Sequence, residues 1–135
     1  MSAPIATVVI VPIKVVDASA VAAVLFREPA AAEMARQLDG CQLVAPPLLE
    51  FELGNVCLTK RRRHPDQRDE LLEIFRWRSR LAVVIKSIDD EGVLVLAEQA
   101  QLSFYDASYL WLARELDAVL VTLDRRLAEA SRRIS

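Results

Sequence analysis

The chain of 135 residues holds one histidine, two cysteines and three glycines, and each shortage removes a class of site. A lone imidazole, His64, with thiols at Cys41 and Cys57 that lack ligand spacing, disfavours zinc. Gly40, Gly54 and Gly92 are too few and too scattered to form the Gly-rich phosphate loop of a nucleotide or flavin binder. Two cysteines in apolar surroundings make no disulfide framework, and this usage suits a reducing, cytoplasmic setting. No apolar run approaches the roughly 20 residues that span a bilayer, so no membrane partner is expected. The opening stretch from Met1 to Asp17 is apolar, yet it lacks a basic start, is broken by Pro4 and Pro12, and carries Lys14, which argues against a signal peptide. A net charge of -2 and a pI near 5.5 give no global positive field, so contact with nucleic acid would need a local patch.

What is present is an ordinary globular composition, 53% hydrophobic and 27% charged, on a length that fits a single domain over residues 1–135. Strand and helix signals alternate. A β-branched strand covers Lys14 to Asp17, preceded by "TVVIV" as part of that strand or as an irregular extension; the conformation of residues 1–12 stays open. Helices are expected from Ala18 to Arg27 and from Pro29 to Leu38, with Gly40 as the stop. "QLVAP" reads as a second strand. A helical hairpin follows over residues 47–63 and 66–81, then a strand over 82–88 and a helix over 89–102. A helix beginning at Ser103, the strand "AVLVTL" and a helix from Asp124 to Ile134 complete the pattern. Strands joined by helices demand crossover connections, hence an α/β three-layer sandwich around a mainly parallel sheet.

In such a sheet the carboxyl ends of the strands share one edge, where ligands bind at the switch in strand order. Asp17 closes the first strand, Asp124 follows the last, and Asp106 heads the helix "FYDASYLWLA" just before it. Glu50 opens the helix after the second strand. Glu52 lies about 200° further round that helix, so Glu50, sharing a face with Leu53, Gly54 and Cys57, is expected to point at protein and Glu52 at water. Each acid has an ordinary explanation as a helix cap or a partner of the helix dipole, and Ser103 with Asp106 forms a capping box. Capping does not explain why the acids gather at one edge. Converging carboxylates repel and raise one another's pKa unless a cation compensates, and a hard divalent ion such as Mg²⁺ or Mn²⁺ takes such oxygen ligands.

The segments "VVDASA", "VAPPLLEFELGNV", "LSFYDASYLWLAREL" and "AVLVTLDRRLAEA" together resemble the PIN-domain family, and within it the VapC-type ribonuclease toxins of toxin–antitoxin pairs. The resemblance covers nearly the whole chain. It implies a PIN-like sandwich with a four- to five-stranded sheet and an acidic metal site of Asp17, Glu50, Asp106 and Asp124. Ser19 and Thr122 match small hydroxyl positions that orient the acids. The implied activity is Mg²⁺-dependent (or Mn²⁺-dependent) endoribonuclease cleavage by a metal-activated water. Asp17 and Asp106 would hold the principal ion, with Glu50 and Asp124 on a second ion or on its waters. The implied partners are an RNA substrate, a cognate VapB-type antitoxin and a second copy in a homodimer. The family commonly carries a last strand after the final helix, whereas here the sequence runs to "RRIS", so Ile134 either begins that strand or the edge is absent.

Basic residues for an RNA path are Lys60 to His64, the cluster "RWRSR" from Arg76 to Arg80, and Arg125–Arg126. The first run reads mainly as a solvated helix end; Arg125, beside Asp124, is the expected RNA contact. Phe75, Trp77, Tyr109 and Trp111 have the chemistry to stack on bases, but their helical spacing favours core or subunit contacts. A receiver domain would want a lysine after a late strand, and a haloacid dehalogenase a second Asp two positions after Asp17; neither is present. The remaining alternative is a catalytically silent PIN-like module that binds RNA or protein without cutting.

Overall fold

The computed structural model describes residues 10–134. In chain order its elements are β1 (Ile13–Val16), α1 (Ala18–Leu25), α2 (Ala31–Leu38), β2 (Gln42–Ala45), α3 (Leu48–Arg63), α4 (Arg68–Arg76), β3 (Val84–Ile85), α5 (Asp90–Ala100), α6 (Phe104–Glu115), β4 (Val119–Val121) and α7 (Arg125–Ile134). Short 3-10 turns at Pro65–Gln67 and Trp77–Leu81 flank α4. Strand–helix alternation is therefore as the sequence indicates, and its cause is local. The β-branched runs Ile13–Val16 and Val119–Val121 favour extended backbone, and Asp17 and Ser103 supply side-chain acceptors that start α1 and α6. Gly40, at φ +71°, turns the chain from α2 into β2.

The sheet is entirely parallel, with strand order β3-β2-β1-β4. Lys14 sits between Leu43 on one side and Val119 on the other. The steps from β1 to β2 and from β2 to β3 run in one direction, and the return to β4 runs in the other. Right-handed crossovers then place α1–α4 on one face and α5–α6 on the opposite face, consistent with α1 packing on α2 and α3, and α6 on α5, α7 and β1. The order reverses between β1 and β4, so the binding crevice of this architecture opens at their carboxyl ends. Val15, Val16, Val44, Val121, Leu49, Leu53, Leu110 and Leu127 fill the core beneath it.

Two expectations change, and one open alternative closes. The third strand spans two exposed residues rather than 82–88, because an edge position offers the β-branched residues of that run little to pack against. The second hairpin helix ends at Arg76 and continues as a 3-10 turn, closed by Ala82 at φ +53°. Of the two alternatives for Ile134, the structure has the second: Ile134 is the last residue of α7, and the described residues contain four strands. Of "TVVIV", Thr7 to Val9 lie outside the described residues, while Ile10 and Val11 precede β1 without regular structure. No helix among the described residues is long and apolar enough to cross a membrane.

Candidate active site

Asp17 follows the last residue of β1, at the order switch, and its backbone N–H extends the ladder to Val121 O at 3.3 Å. The side chain is only 6% exposed. Its Oδ1 accepts from the Ala20 backbone N–H at 3.0 Å, capping α1, and from Ser19 Oγ at 2.7 Å. Its Oδ2 accepts from Thr122 Oγ1. A carboxylate offers about four lone-pair directions. Three are taken, and the fourth, on Oδ2, meets no donor among the described residues.

The two hydroxyls have a second task. Ser19 Oγ accepts from Leu123 N at 2.9 Å, and Thr122 Oγ1 accepts from Asp124 N at 3.0 Å. They tie the turn after β4 to the turn after β1. Asp124 heads α7, its Oδ1 accepting from Arg126 N at 2.9 Å and Leu127 N at 3.2 Å. Asp106 lies in the first turn of α6, where Ser103 Oγ accepts from its backbone N–H at 3.0 Å. The capping roles of Asp17, Asp124 and Ser103 are thus real. They coexist with a second property that capping does not require.

That property is electrostatic. Burial pushes the Asp106 carboxyl above its ordinary range, the charges of Asp124 and Asp17 push it further, and Arg126 and Ser103 partly offset them. Asp17 is also raised, first by burial and then by Asp124, against the pull of its hydrogen bonds from Thr122, Ser19 and Ala20. Asp17, Asp106 and Asp124, drawn from three separate elements, form one interacting group at the β1/β4 crevice.

The fourth member is Glu52, and here the structure reverses the sequence expectation. Glu50 is exposed, and its Oε2 accepts from Arg78 Nε at 3.1 Å, away from the acids. Glu52 is half-buried, accepts a hydrogen bond from Tyr109 Oη at 2.7 Å, and is raised by burial and by the charges of Asp106 and Asp17. The buried stripe of α3 is Leu49, Leu53 and Cys57. At 100° per residue Glu50 lies about 60° from its centre and Glu52 about 100° on the other flank, so helical phase alone favours Glu50, which the structure leaves exposed. What decides is the neighbour on each flank: α6 with Tyr109 on one side, the turn carrying Arg78 on the other.

The donor set is oxygen-only and anionic, as a hard divalent cation requires. Among the described residues no three acidic, imidazole or thiolate groups stand close enough to grip one ion directly. The arrangement therefore suits an ion that keeps part of its water shell, bound through one or two carboxylates with the others reaching its waters. Elevation of the Asp17, Asp106 and Glu52 pKa values, by burial first and by neighbouring acids second, is the physical sign that added positive charge would be accommodated.

Of the basic residues, most are engaged in the fold. Lys60 pairs with Glu28 at 3.1 Å and lies over the Phe26 ring, Arg61 donates to Arg68 O, and Arg78 packs on Phe75 besides holding Glu50. Arg125 is exposed beside Asp124. Arg126 donates to Gln101 O at 3.2 Å and faces Asp106. Tyr109 is 1% exposed, as its spacing on the helix suggests, whereas Trp77 is 41% exposed with Arg80 over its ring.

Residues 14–133 match the PIN domain family. The chain is 32% identical over 121 residues to Ribonuclease VapC3 of Pyrobaculum aerophilum, an alignment covering 85% of this chain and 92% of that one. It is 36% identical over 122 residues to VapC ribonuclease Mb0985 of Mycobacterium bovis, covering 85% and 88%. Among solved structures, PAE2754 from Pyrobaculum aerophilum superposes with a TM-score of 0.69 at 25% identity, over 91% of this chain and 89% of its own.

Proposed function

The chain belongs to the PIN-domain family, and from that premise we propose that it is a VapC-type endoribonuclease toxin that hydrolyses RNA phosphodiester bonds with Mg²⁺ or Mn²⁺. The observation that carries this reading is the electrostatic coupling of Asp17, Asp106, Asp124 and Glu52 at the carboxyl ends of β1 and β4. The names of the relatives support the substrate class.

Asp17 and Asp106 would hold the principal cation, and Glu52 and Asp124 its waters or a second ion. When bound, the cation supplies Lewis-acid stabilisation of charge on the phosphate and makes an attacking water more acidic. The chain's own residues do the rest. Ser19, Thr122 and the Ala20 N–H fix Asp17 in one rotamer, so its remaining lone pair keeps a constant direction. Preorganisation of this kind removes reorganisation cost at the moment of reaction. Arg126 moderates the negative potential beside Asp106, and exposed Arg125 is placed to meet an approaching phosphate. In the hydrolysis itself, the water oxygen bonds to phosphorus as the bond to the leaving ribose oxygen breaks.

A homodimer and a VapB-type antitoxin complete the proposal and rest on family membership. A basic side chain inserted among four acids would pair with them and compete with the cation. The test is an RNA-cleavage assay on purified protein with Mg²⁺ or Mn²⁺. Cleavage abolished by chelator and by Asp17→Asn or Asp106→Asn in folded protein is expected. Cleavage that survives both would overturn the mechanism, and folded wild type that binds RNA without cutting it would favour the silent-module reading.

A further inference from the structure

Tyr109 lies three residues after Asp106 on α6, one helical turn below it. It is among the largest fully buried side chains of the molecule, and its hydroxyl is the polar end of an otherwise apolar position. A buried phenol must satisfy that hydroxyl. Tyr109 does so by donating to Glu52 Oε1 at 2.7 Å, across from α6 to α3. One hydroxyl thus joins two helices that each carry an acid of the group, α6 with Asp106 and α3 with Glu52.

We infer that Tyr109 is a positioning residue that aims the Glu52 carboxylate at the cation site. Glu52 has three side-chain torsions and stands on a helix flank where, among the described residues, no other hydrogen bond holds it. The phenol ring is locked by its burial among core side chains, and its donor reaches Oε1 only. Oε2 is thereby oriented, and its direction follows from a rigid group rather than from solvent. Leu or Phe would fill the same apolar space; only tyrosine adds the donor at the place where the glutamate needs one. Outer partners of ligating groups act in this way, and removing one commonly costs ten- to a hundred-fold in metal affinity. This inference deepens the proposed function and rests on it.

The experiment measures Mn²⁺ affinity of the full chain by electron paramagnetic resonance of the free ion, with no RNA present. Tyr109→Phe is expected to weaken Mn²⁺ binding by about tenfold, and Glu52→Gln at least as much. The double variant is expected to be no weaker than Glu52→Gln alone, since the hydroxyl acts through the carboxylate. Full multiplication of the two losses, or unchanged affinity in Tyr109→Phe, would reduce the hydroxyl to a packing group. A second readout needs no change at Tyr109. The chain has two tyrosines, so protein carrying Tyr105→Phe and a ¹³Cζ-tyrosine label shows one resonance, from Tyr109. Its shift should move with Mg²⁺ addition and stop responding in Glu52→Gln; a resonance indifferent to Mg²⁺ would overturn the inference. If Asp17→Asn abolishes Mn²⁺ binding while Tyr109→Phe does not weaken it, the inference falls and the proposed function stands. If wild type binds no Mn²⁺, both fall.

Discussion

Ser19 Oγ and Thr122 Oγ1, separated by 103 positions in the sequence, stand 3.4 Å apart and between them occupy both oxygens of Asp17. Each also accepts a backbone N–H from the turn after β4. Ser19→Ala removes one donor and one acceptor together, and should cost about 1–3 kcal/mol of stability. Ser19→Ala and Thr122→Val should combine non-additively, because they share Asp17. Denaturant unfolding of the two single variants and the double variant measures this, and strict additivity would contradict a shared network.

The two glutamates of α3 make the sharpest test of site assignment. Glu52→Gln should lower RNA cleavage by at least about tenfold and weaken Mn²⁺ binding. Glu50→Gln should leave both within about twofold, since its partner is Arg78 at the surface and exposed ion pairs contribute little. Loss of cleavage in Glu50→Gln with retention in Glu52→Gln would restore the expectation drawn from helical phase.

Divalent cations should stabilise the wild type. At a concentration one hundred times Kd, a site present only in the folded state adds about 2.7 kcal/mol. The melting temperature should therefore rise with Mg²⁺ or Mn²⁺, and Asp17→Asn or Asp106→Asn should abolish the rise. An equal rise in Asp106→Asn would mean that the ions act elsewhere.

Without metal, the acids should make stability fall as pH rises. Asp17, Asp106 and Glu52 all hold their protons more tightly in the folded chain than is usual for carboxylates. The unfolded chain releases these protons first, around pH 4. Between that pH and the raised folded values the native state binds more protons than the unfolded one, so the linkage slope is negative. The contribution is fully present below the ordinary carboxylate range and lost as pH climbs through the folded values. In chelator, Asp106→Asn should melt above wild type at neutral pH and converge with it in acid. A gap that does not change with pH would contradict the coupling.

Gly92 probes how α5 is seated on α6. A Cβ there would stand 2.7 Å from Trp111 Nε1 and 3.0 Å from Asp89 Oδ2. Overpacking costs about 1–3 kcal/mol, against about 1 kcal/mol gained from alanine's helix propensity. Gly92→Ala should therefore be destabilising in the wild type and stabilising in a Trp111→Phe background. Thermal unfolding of both pairs reports the sign.

The strand alternation, the shared carboxyl edge and the placement of Asp17, Asp106 and Asp124 were legible because they depend on local chemistry. β-Branched runs, Asp17 and Ser103 at helix starts and the topology of parallel sheets suffice to put those acids together. Glu52 was not legible, because both glutamates flank the same buried stripe and only the position of α6 distinguishes them. Tyr109 was legible as a core residue, but its hydroxyl's partner is 57 positions away and follows from packing alone. The shortness of β3 has the same origin: local propensity for extended structure runs from Ala82 to Ile88, and the sheet edge uses two residues of it.

The junction of β1 with β4 joins a strand near the start of the described chain to one near its end. Thr122 and Asp124 reach Asp17 only once β4 has docked, so no shorter chain lacking β4 can hold the acids together. Assembly of the acid group is thereby made conditional on the docking of an edge strand, and a change that unseats β4 separates Asp124 from Asp17 even where the other three strands stay paired.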